Sequence, residues 1–119
     1  MPRFVVLEHE TSLGLHWDFM LETQDSLATW RLAQRPDEAP TIPAQALPDH
    51  RLAYLEYEGP ISNNRGSVTR WDHGSYQLRR HDRDETAAVV AGKKLIGEVT
   101  LRRSAENSDA WEFSYTPFA

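Results

Sequence analysis

Residues 3–22 read RFVVLEHETSLGLHWDFMLE, two apolar runs separated by turn-forming residues and a glycine. Two such runs around a short turn predict a β-hairpin. Because side chains alternate across a strand, His16 and Asp18 share one face, about 6.5–7 Å apart at Cα. Pairing of the two strands brings His9, at the end of the first run, beside them. The hairpin therefore predicts a cluster of two imidazoles and one carboxylate.

This cluster has the donor atoms of a transition-metal site. Two nitrogens and one oxygen suit Mn2+, Zn2+ or Fe2+ better than Mg2+ or Ca2+, which prefer shells of oxygen. The alternative is that three polar side chains line the solvated face of a hairpin. If they bind a metal, we expect His9, His16 and Asp18 to converge on the concave side of the fold.

Length and composition limit the class of protein. A chain of 119 residues is expected to fold as one domain, residues 1–119, that buries about two-thirds of the surface of its unfolded chain. The mean hydropathy is −0.62, and no apolar run approaches the roughly 20 residues of a transmembrane helix. Without cysteine or a basic and apolar leader, we expect a cytoplasmic protein without disulfides or thiolate metal sites. The net charge of −5 argues against binding nucleic acid through bulk charge alone.

Short segments of alternating polarity, separated by turn residues, run through most of the chain. They predict strands over residues 3–8, 15–22, 27–32, 52–57, 66–71, 75–79, 95–102 and 111–115. About eight such strands predict an all-β fold, a small closed or partly open β-barrel with at most one short helix. We expect that helix over residues 86–91. Four prolines predict a loop over residues 36–48.

A second group of polar side chains follows the proline-rich segment. If residues 51–57 form a strand, His50 and Tyr54 share a face, where an imidazole and a phenol can donate a proton and bind an oxyanion. The alternative is a partly exposed histidine and a core tyrosine. His73, followed by a glycine, is expected in a hairpin turn at residues 72–74.

A series of short motifs supports a family resemblance through its order along the chain. The motifs are Phe4-Val5-Val6-x-Glu8-His9, His16-x-Asp18-Phe19-x-Leu21-Glu22, Leu27-x-x-Trp30, Asp49-His50-x-Leu52-x-Tyr54, Tyr57-Glu58-Gly59, Gly66-x-Val68, Trp71-Asp72-x-Gly74 and Lys94-Leu95-x-Gly97. In this order they resemble the 3'-phosphoesterase domain of bacterial DNA ligase D. The chain is identified as a stand-alone, divergent member of that family.

The resemblance implies a fold, a cofactor and an activity. The family fold is a small β-barrel with a concave active-site cavity. A divalent metal, typically manganese, is bound by residues that match His9, His16 and Asp18. Residues that match His50 and Tyr54 are catalytic and serve the phosphate chemistry. Family enzymes trim 3' ends of DNA, removing a terminal ribonucleoside and then the 3'-phosphate. The implied partners are therefore DNA 3' ends or another phosphoester substrate, and a separate DNA ligase or repair protein.

The chain departs from the family at positions that are usually basic. Met20, Gln34 and Ile42 stand in the places of an arginine, a lysine and a further basic residue. An arginine stabilises phosphoryl charge through paired hydrogen bonds that methionine cannot make. We therefore expect Met20→Arg to strengthen activity on 3'-phosphorylated DNA. Other arginines that could replace the missing one are Arg31, Arg51 and Arg65.

Two further functions compete with a phosphoesterase. One is a non-catalytic, metal-containing binding module in DNA repair, which the missing basic residues favour. The other is a non-haem iron oxygenase, because His16, Asp18 and His50 mimic the two-histidine, one-carboxylate triad of those enzymes. Iron-dependent consumption of oxygen and 2-oxoglutarate would identify the oxygenase.

Overall fold

The N-terminal hairpin forms as its alternating pattern predicts. In the computed structural model, which describes residues 1–107 and 109–118, β1 (Arg3–Thr11) pairs antiparallel with β2 (Gly14–Glu22). Gly14 adopts a φ of 125° at the turn, a conformation that residues with a Cβ rarely adopt. The two strands begin a sheet that closes on itself.

Within the described ranges, seven further strands continue the sheet: β3 (Leu27–Leu32), β4 (Thr41–His50), β5 (Gly59–Pro60), β6 (Ser67–His81), β7 (Glu85–Ala91), β8 (Ile96–Arg103) and β9 (Trp111–Pro117). The pairing order is β1-β2-β3-β4-β9-β8-β7-β6, and β6 pairs back onto β1. Eight antiparallel strands thus form a ring, which is less regular than a barrel, and β5 pairs with β6 at its edge. The all-β prediction is confirmed.

A main core of apolar side chains draws on every strand of the ring. Its buried members are Phe4, Val6, Phe19, Leu21, Trp30, Leu32, Ile42, Ala44, Tyr76, Ala88, Val90, Leu95, Val99, Leu101, Trp111 and Phe113. The rings of Phe19 and Phe113 meet edge to face with centroids 5.4 Å apart, an arrangement that aromatic pairs favour.

A smaller satellite core packs on the opposite face of the same sheet. Its buried members are Val5, Leu7, Met20, Leu27, Leu55 and Val68, with Tyr54 and Ile61 packed against them. Leu55 comes from a 3-10 turn, Leu52–Leu55, and not from the strand predicted over residues 52–57. That prediction is wrong because this segment lies across the sheet as a cover, and Leu55 is its buried anchor.

The helix predicted over residues 86–91 is also wrong, because these residues lie in strand β7. Three alanines give the segment helical propensity, but both of its edges are paired, one to β6 and one to β8. Ala88 and Val90 reach the main core with the period of two that a strand requires. Pairing and packing have therefore overridden local propensity.

The loop predicted over residues 36–48 is wrong in its second half, where β4 begins at Thr41. Pro43 lies just outside the ladder with β3, and its carbonyl accepts a hydrogen bond from Ala33 N–H at 3.1 Å. Pro48 falls where the β3–β4 register shifts. Both prolines therefore occupy positions that tolerate a missing backbone N–H.

The turn predicted at residues 72–74 is replaced by continuous strand, so His73 lies within β6. Asp72 is buried, and its carboxylate accepts hydrogen bonds from the backbone N–H groups of Lys93 and Leu95, at 2.7 and 2.8 Å. Asp72, which is expected in a local turn, thus stabilises the turn between β7 and β8 instead.

Across residues 1–107 and 109–118, the structure contains no helix with the length and apolarity needed to cross a membrane.

Candidate metal centre

The polar cluster predicted from the hairpin lies on the face of β1, β2 and β3 that carries the satellite core. Directly paired residues share a face of a sheet. His9 is paired with His16, and Asp18 is paired with Leu7 on one side and Arg31 on the other. The side chains converge, but on the face opposite the main core and not on the side that the ring encloses.

The three candidate ligands offer donor atoms at distances that one cation can span. His9 Nδ1 lies 2.8 Å from His16 Nε2 and 4.0 Å from Asp18 Oδ2, and His16 Nε2 lies 3.8 Å from Asp18 Oδ2. A triangle with these sides has a circumscribed radius of about 2.1 Å, close to the roughly 2.0–2.2 Å of metal–nitrogen and metal–carboxylate bonds. The donor set therefore fits a divalent transition metal.

A backbone carbonyl fixes the orientation of His9. Its Nε2–H donates to the carbonyl oxygen of Arg65 at 2.7 Å, which leaves Nδ1 unprotonated and 2.8 Å from His16 Nε2. The close approach depends on Gly66, where a Cβ would lie 1.9 Å from the carbonyl oxygen of Glu10. An oriented imidazole with its free nitrogen turned into the cluster is the form that binds a metal.

Burial lowers the pKa of His16 below its ordinary value of 6.5. The Asp18 carboxylate opposes this by raising the pKa, whereas the nearby Arg31 and His9 lower it further. Since the lowering prevails, the neutral imidazole, which is the metal-binding form, is favoured near neutral pH.

The carboxylate of Asp18 is shared between the cluster and an arginine. Its Oδ2 faces the two histidines, and its Oδ1 lies 3.4 Å from Arg31 Nε. The side chain of Asp18 is 4% exposed and that of Arg31 is 39% exposed. The arginine therefore holds a buried carboxylate while its side chain stays partly exposed to solvent.

A pocket of about 370 Å³ opens beside this cluster. Among its lining residues are His9, Asp18 and both predicted catalytic residues, His50 and Tyr54. His50 Nδ1–H donates to the Pro48 carbonyl at 3.0 Å, so its Nε2 is the nitrogen available for another partner. The rings of His50 and Tyr54 pack edge to face, with centroids 5.8 Å apart. The pocket brings two of the three predicted metal ligands, His9 and Asp18, together with the predicted proton donor.

The positions that depart from the family pattern differ in their surroundings. Met20 is fully buried in the satellite core and Ile42 is fully buried in the main core. Gln34 is partly exposed, and its amide donates to Glu38 at 3.5 Å. Met20 also lines the pocket beside Asp18, so the expectation that Met20→Arg strengthens activity stays a prediction. The added charge would also enter the apolar satellite core.

Positive charge reaches the pocket from other positions. Arg31, Arg51 and Arg65 all line it, against the carboxylates of Asp18 and Asp49. Arg31 is the direct cross-strand partner of Asp18, a signal that correct pairing of the two predicted strands would have given. The Arg65 carbonyl that orients His9 lies 56 residues away in sequence, and no local pattern indicates it.

Comparison with known proteins supports the same family. The model of the DNA ligase D 3'-phosphoesterase domain matches residues 7–103. The chain is also similar to the multifunctional non-homologous end joining protein LigD of Pseudomonas aeruginosa, with 34% identity over 112 residues. That alignment covers 86% of this chain and 13% of the relative, so the chain corresponds to a small part of a much longer protein.

Proposed function

The chain belongs to the DNA ligase D 3'-phosphoesterase domain family, and on that basis we propose that it is a divalent-metal-dependent phosphoesterase acting on DNA 3' ends. Its substrates are a 3'-phosphate and a 3'-terminal ribonucleotide. The observation that carries the proposal is the placement of His50 and Tyr54 in the same pocket as His9 and Asp18. A module that only bound a metal would not need an imidazole and a phenol there.

We assign the metal to His9 Nδ1, His16 Nε2 and Asp18 Oδ2. Manganese is the expected ion, with zinc or iron as other ions that this donor set accepts. When bound, a divalent ion polarises a phosphoryl oxygen and supplies an activated water.

His50 and Tyr54 would then transfer a proton and stabilise the negative charge that develops in the reaction. In hydrolysis of a 3'-phosphate, a water oxygen bonds to phosphorus while the bond to the 3'-oxygen breaks. In its doubly protonated form, His50, held through its Nδ1–H by the Pro48 carbonyl, would give the proton on Nε2 to the departing 3'-oxygen. The Tyr54 hydroxyl donates a hydrogen bond to a phosphoryl oxygen. The products are a 3'-hydroxyl and inorganic phosphate.

The relative's name, a multifunctional end-joining protein, suggests where this reaction belongs. A 3'-phosphate or a 3'-ribonucleotide would be removed before two DNA ends are joined. We propose that a DNA ligase or another repair protein uses the product ends.

The test is an assay of the Mn2+-loaded protein on duplexes that carry either a 3'-phosphate or one 3'-ribonucleotide. We expect hydrolysis by the parent, near-complete loss in Asp18→Asn, and a fall of about 10²–10⁴-fold in His50→Gln, the usual contribution of a general acid.

His81→Gln is the matched control, because His81 is exposed at the far end of β6 and bonds Thr86. It should retain the parent rate. Mn2+-dependent binding of DNA ends without turnover would support a binding module instead, and full activity of Asp18→Asn would exclude the assigned metal site.

A further inference from the structure

We propose that Arg31 binds the phosphoryl oxygens of the substrate through the terminal nitrogens of its guanidinium while its Nε stays against Asp18. This assignment rests on the proposed function, and it concerns specificity for a phosphate group. It gives a phosphate-binding role to an arginine on β3, one strand away from the hairpin that carries the metal ligands.

The position of Arg31 places it beside any anion that the metal centre holds. Its Nε lies 3.4 Å from Asp18 Oδ1, and the other carboxylate oxygen faces His9 and His16. Within residues 1–107 and 109–118, the side chain of Arg31 forms no further hydrogen bond. Its two terminal nitrogens therefore remain available, and they have the fork geometry that pairs with two oxygens of a phosphate.

Arg31 also lines two pockets. It lines the pocket that holds His50 and Tyr54, and it lines a second hollow of about 300 Å³ with Leu15, His16 and Gln45. A phosphoester carries an organic group, such as a nucleoside, on at least one oxygen of its phosphate. An arginine that lines both pockets can bind the phosphate whichever of the two pockets that group occupies.

The other two arginines of the pocket are less suited to this role. Arg65 uses its Nε and one terminal nitrogen on the carbonyl and hydroxyl of Ser62, at 2.9 and 3.2 Å. Arg51 is exposed and forms no side-chain hydrogen bond or ion pair with the described residues, so binding would have to order a long flexible side chain. Arg31 is already held on a strand paired on both sides.

The test measures two affinities separately by calorimetry, that of the protein for Mn2+ and that of the Mn2+-loaded protein for inorganic phosphate. In Arg31→Met we expect Mn2+ affinity within about threefold of the parent and phosphate affinity lower by about 10- to 100-fold, the range for a lost charged hydrogen bond. The phosphate affinity of Arg31→Lys should lie between that of the parent and that of Arg31→Met, because lysine keeps the charge but lacks the paired nitrogens of the guanidinium.

Arg102→Met is the matched control. Arg102 Nε lies 3.5 Å from Glu85 Oε1, the same kind of contact as that of Arg31, but outside the pocket. Arg102→Met should leave the affinities for Mn2+ and for inorganic phosphate unchanged. The melting temperature of each variant, measured without metal, shows whether it is folded.

The remaining outcomes overturn the assignment in distinguishable ways. Parallel loss of Mn2+ and phosphate affinity in Arg31→Met would mean that Arg31 only positions Asp18. Unchanged phosphate affinity in Arg31→Met, with a loss in Arg51→Met, would transfer the role to Arg51. A parent protein that binds no Mn2+ would contradict the proposed function and the role of Arg31 with it.

Discussion

The two faces of the β1–β2 hairpin have the same backbone and opposite tasks. Phe4, Phe19 and Leu21 point to the main core, which all eight strands of the ring enclose. Asp18 and Met20, one position away, point to a face covered by the 3-10 turn and its flanking loops. The first face is closed by long paired strands. The second is closed only in part, and the pocket occupies the remaining opening.

Because of this difference, neighbouring residues of one strand have different roles. Those on the first face stabilise the fold, and those on the second face form the candidate site. Side chains of the main core gain stability from burial on all sides. The polar side chains opposite them are fixed by the same paired strands, so their positions need little support from their own face. A rigid sheet thereby holds the candidate metal-binding cluster without burying it completely. The comparison makes predictions that substitutions on either face can test.

The largest effect on stability is expected from the main core. Phe19→Ala removes a fully buried aromatic ring that meets Phe113, and it should lower the free energy of unfolding by about 3–5 kcal/mol. Urea denaturation measures the change. Asp18→Asn, the neighbouring substitution on the other face, should cost much less in metal-free protein. Equal losses would show that the two faces do not divide their tasks in this way.

A charge placed in the satellite core is expected to have the next largest effect. Met20 is fully buried beside Leu7 and Leu55. Met20→Arg should lower the free energy of unfolding by about 3 kcal/mol, because it buries a charge without a partner. Met20→Leu, which keeps the volume, should cost less than about 1.5 kcal/mol. If Met20→Arg were as stable as Met20→Leu, the satellite core would be open enough for its guanidinium to reach solvent.

A third prediction separates the faces through metal binding. Mn2+ at a hundred times its dissociation constant should stabilise the parent by about 2.7 kcal/mol, because it binds only the folded state. His16→Ala and Asp18→Asn should lose this increment, while Phe19→Ala should keep it despite its lower stability. Thermal denaturation with and without Mn2+ measures both quantities. An undiminished increment in Asp18→Asn would exclude Asp18 as a ligand.

The features that the sequence predicts best are those that depend on residues close together along the chain. The alternation in β1 and β2 was sufficient to place His9, His16 and Asp18 together, since they lie within one hairpin. Predictions failed where distant strands decide the outcome. Residues 86–91 are a strand because β6 and β8 flank them, and β4 tolerates its prolines because of where β3 pairs.

The same limit explains which parts of the site were predictable. The family resemblance indicated His50 and Tyr54, although they reach the pocket from a strand end and a 3-10 turn and not from one strand face. The carbonyl of Arg65 comes from a loop far away in sequence. It becomes a partner of His9 only when β5 and β6 bring that loop against β1.

The smallest expected effect concerns pH and the metal-free protein. Burial lowers the pKa of His16 below the 6.5 of an unfolded chain, so the unfolded state takes up its proton first as the pH falls. The His16 contribution to stability is therefore fully present above about pH 6.5, and it is lost as the pH falls from there through the lower pKa of the folded state. Between pH 7.5 and 5 with a chelator present, the parent should lose more stability than His16→Gln, while the exposed-site control His81→Gln should follow the parent. Urea midpoints across this range measure the difference. Equal losses in the parent and His16→Gln would mean that His16 protonates as readily in the folded state as in the unfolded chain, and that its face of the hairpin is more open to water than its packing indicates.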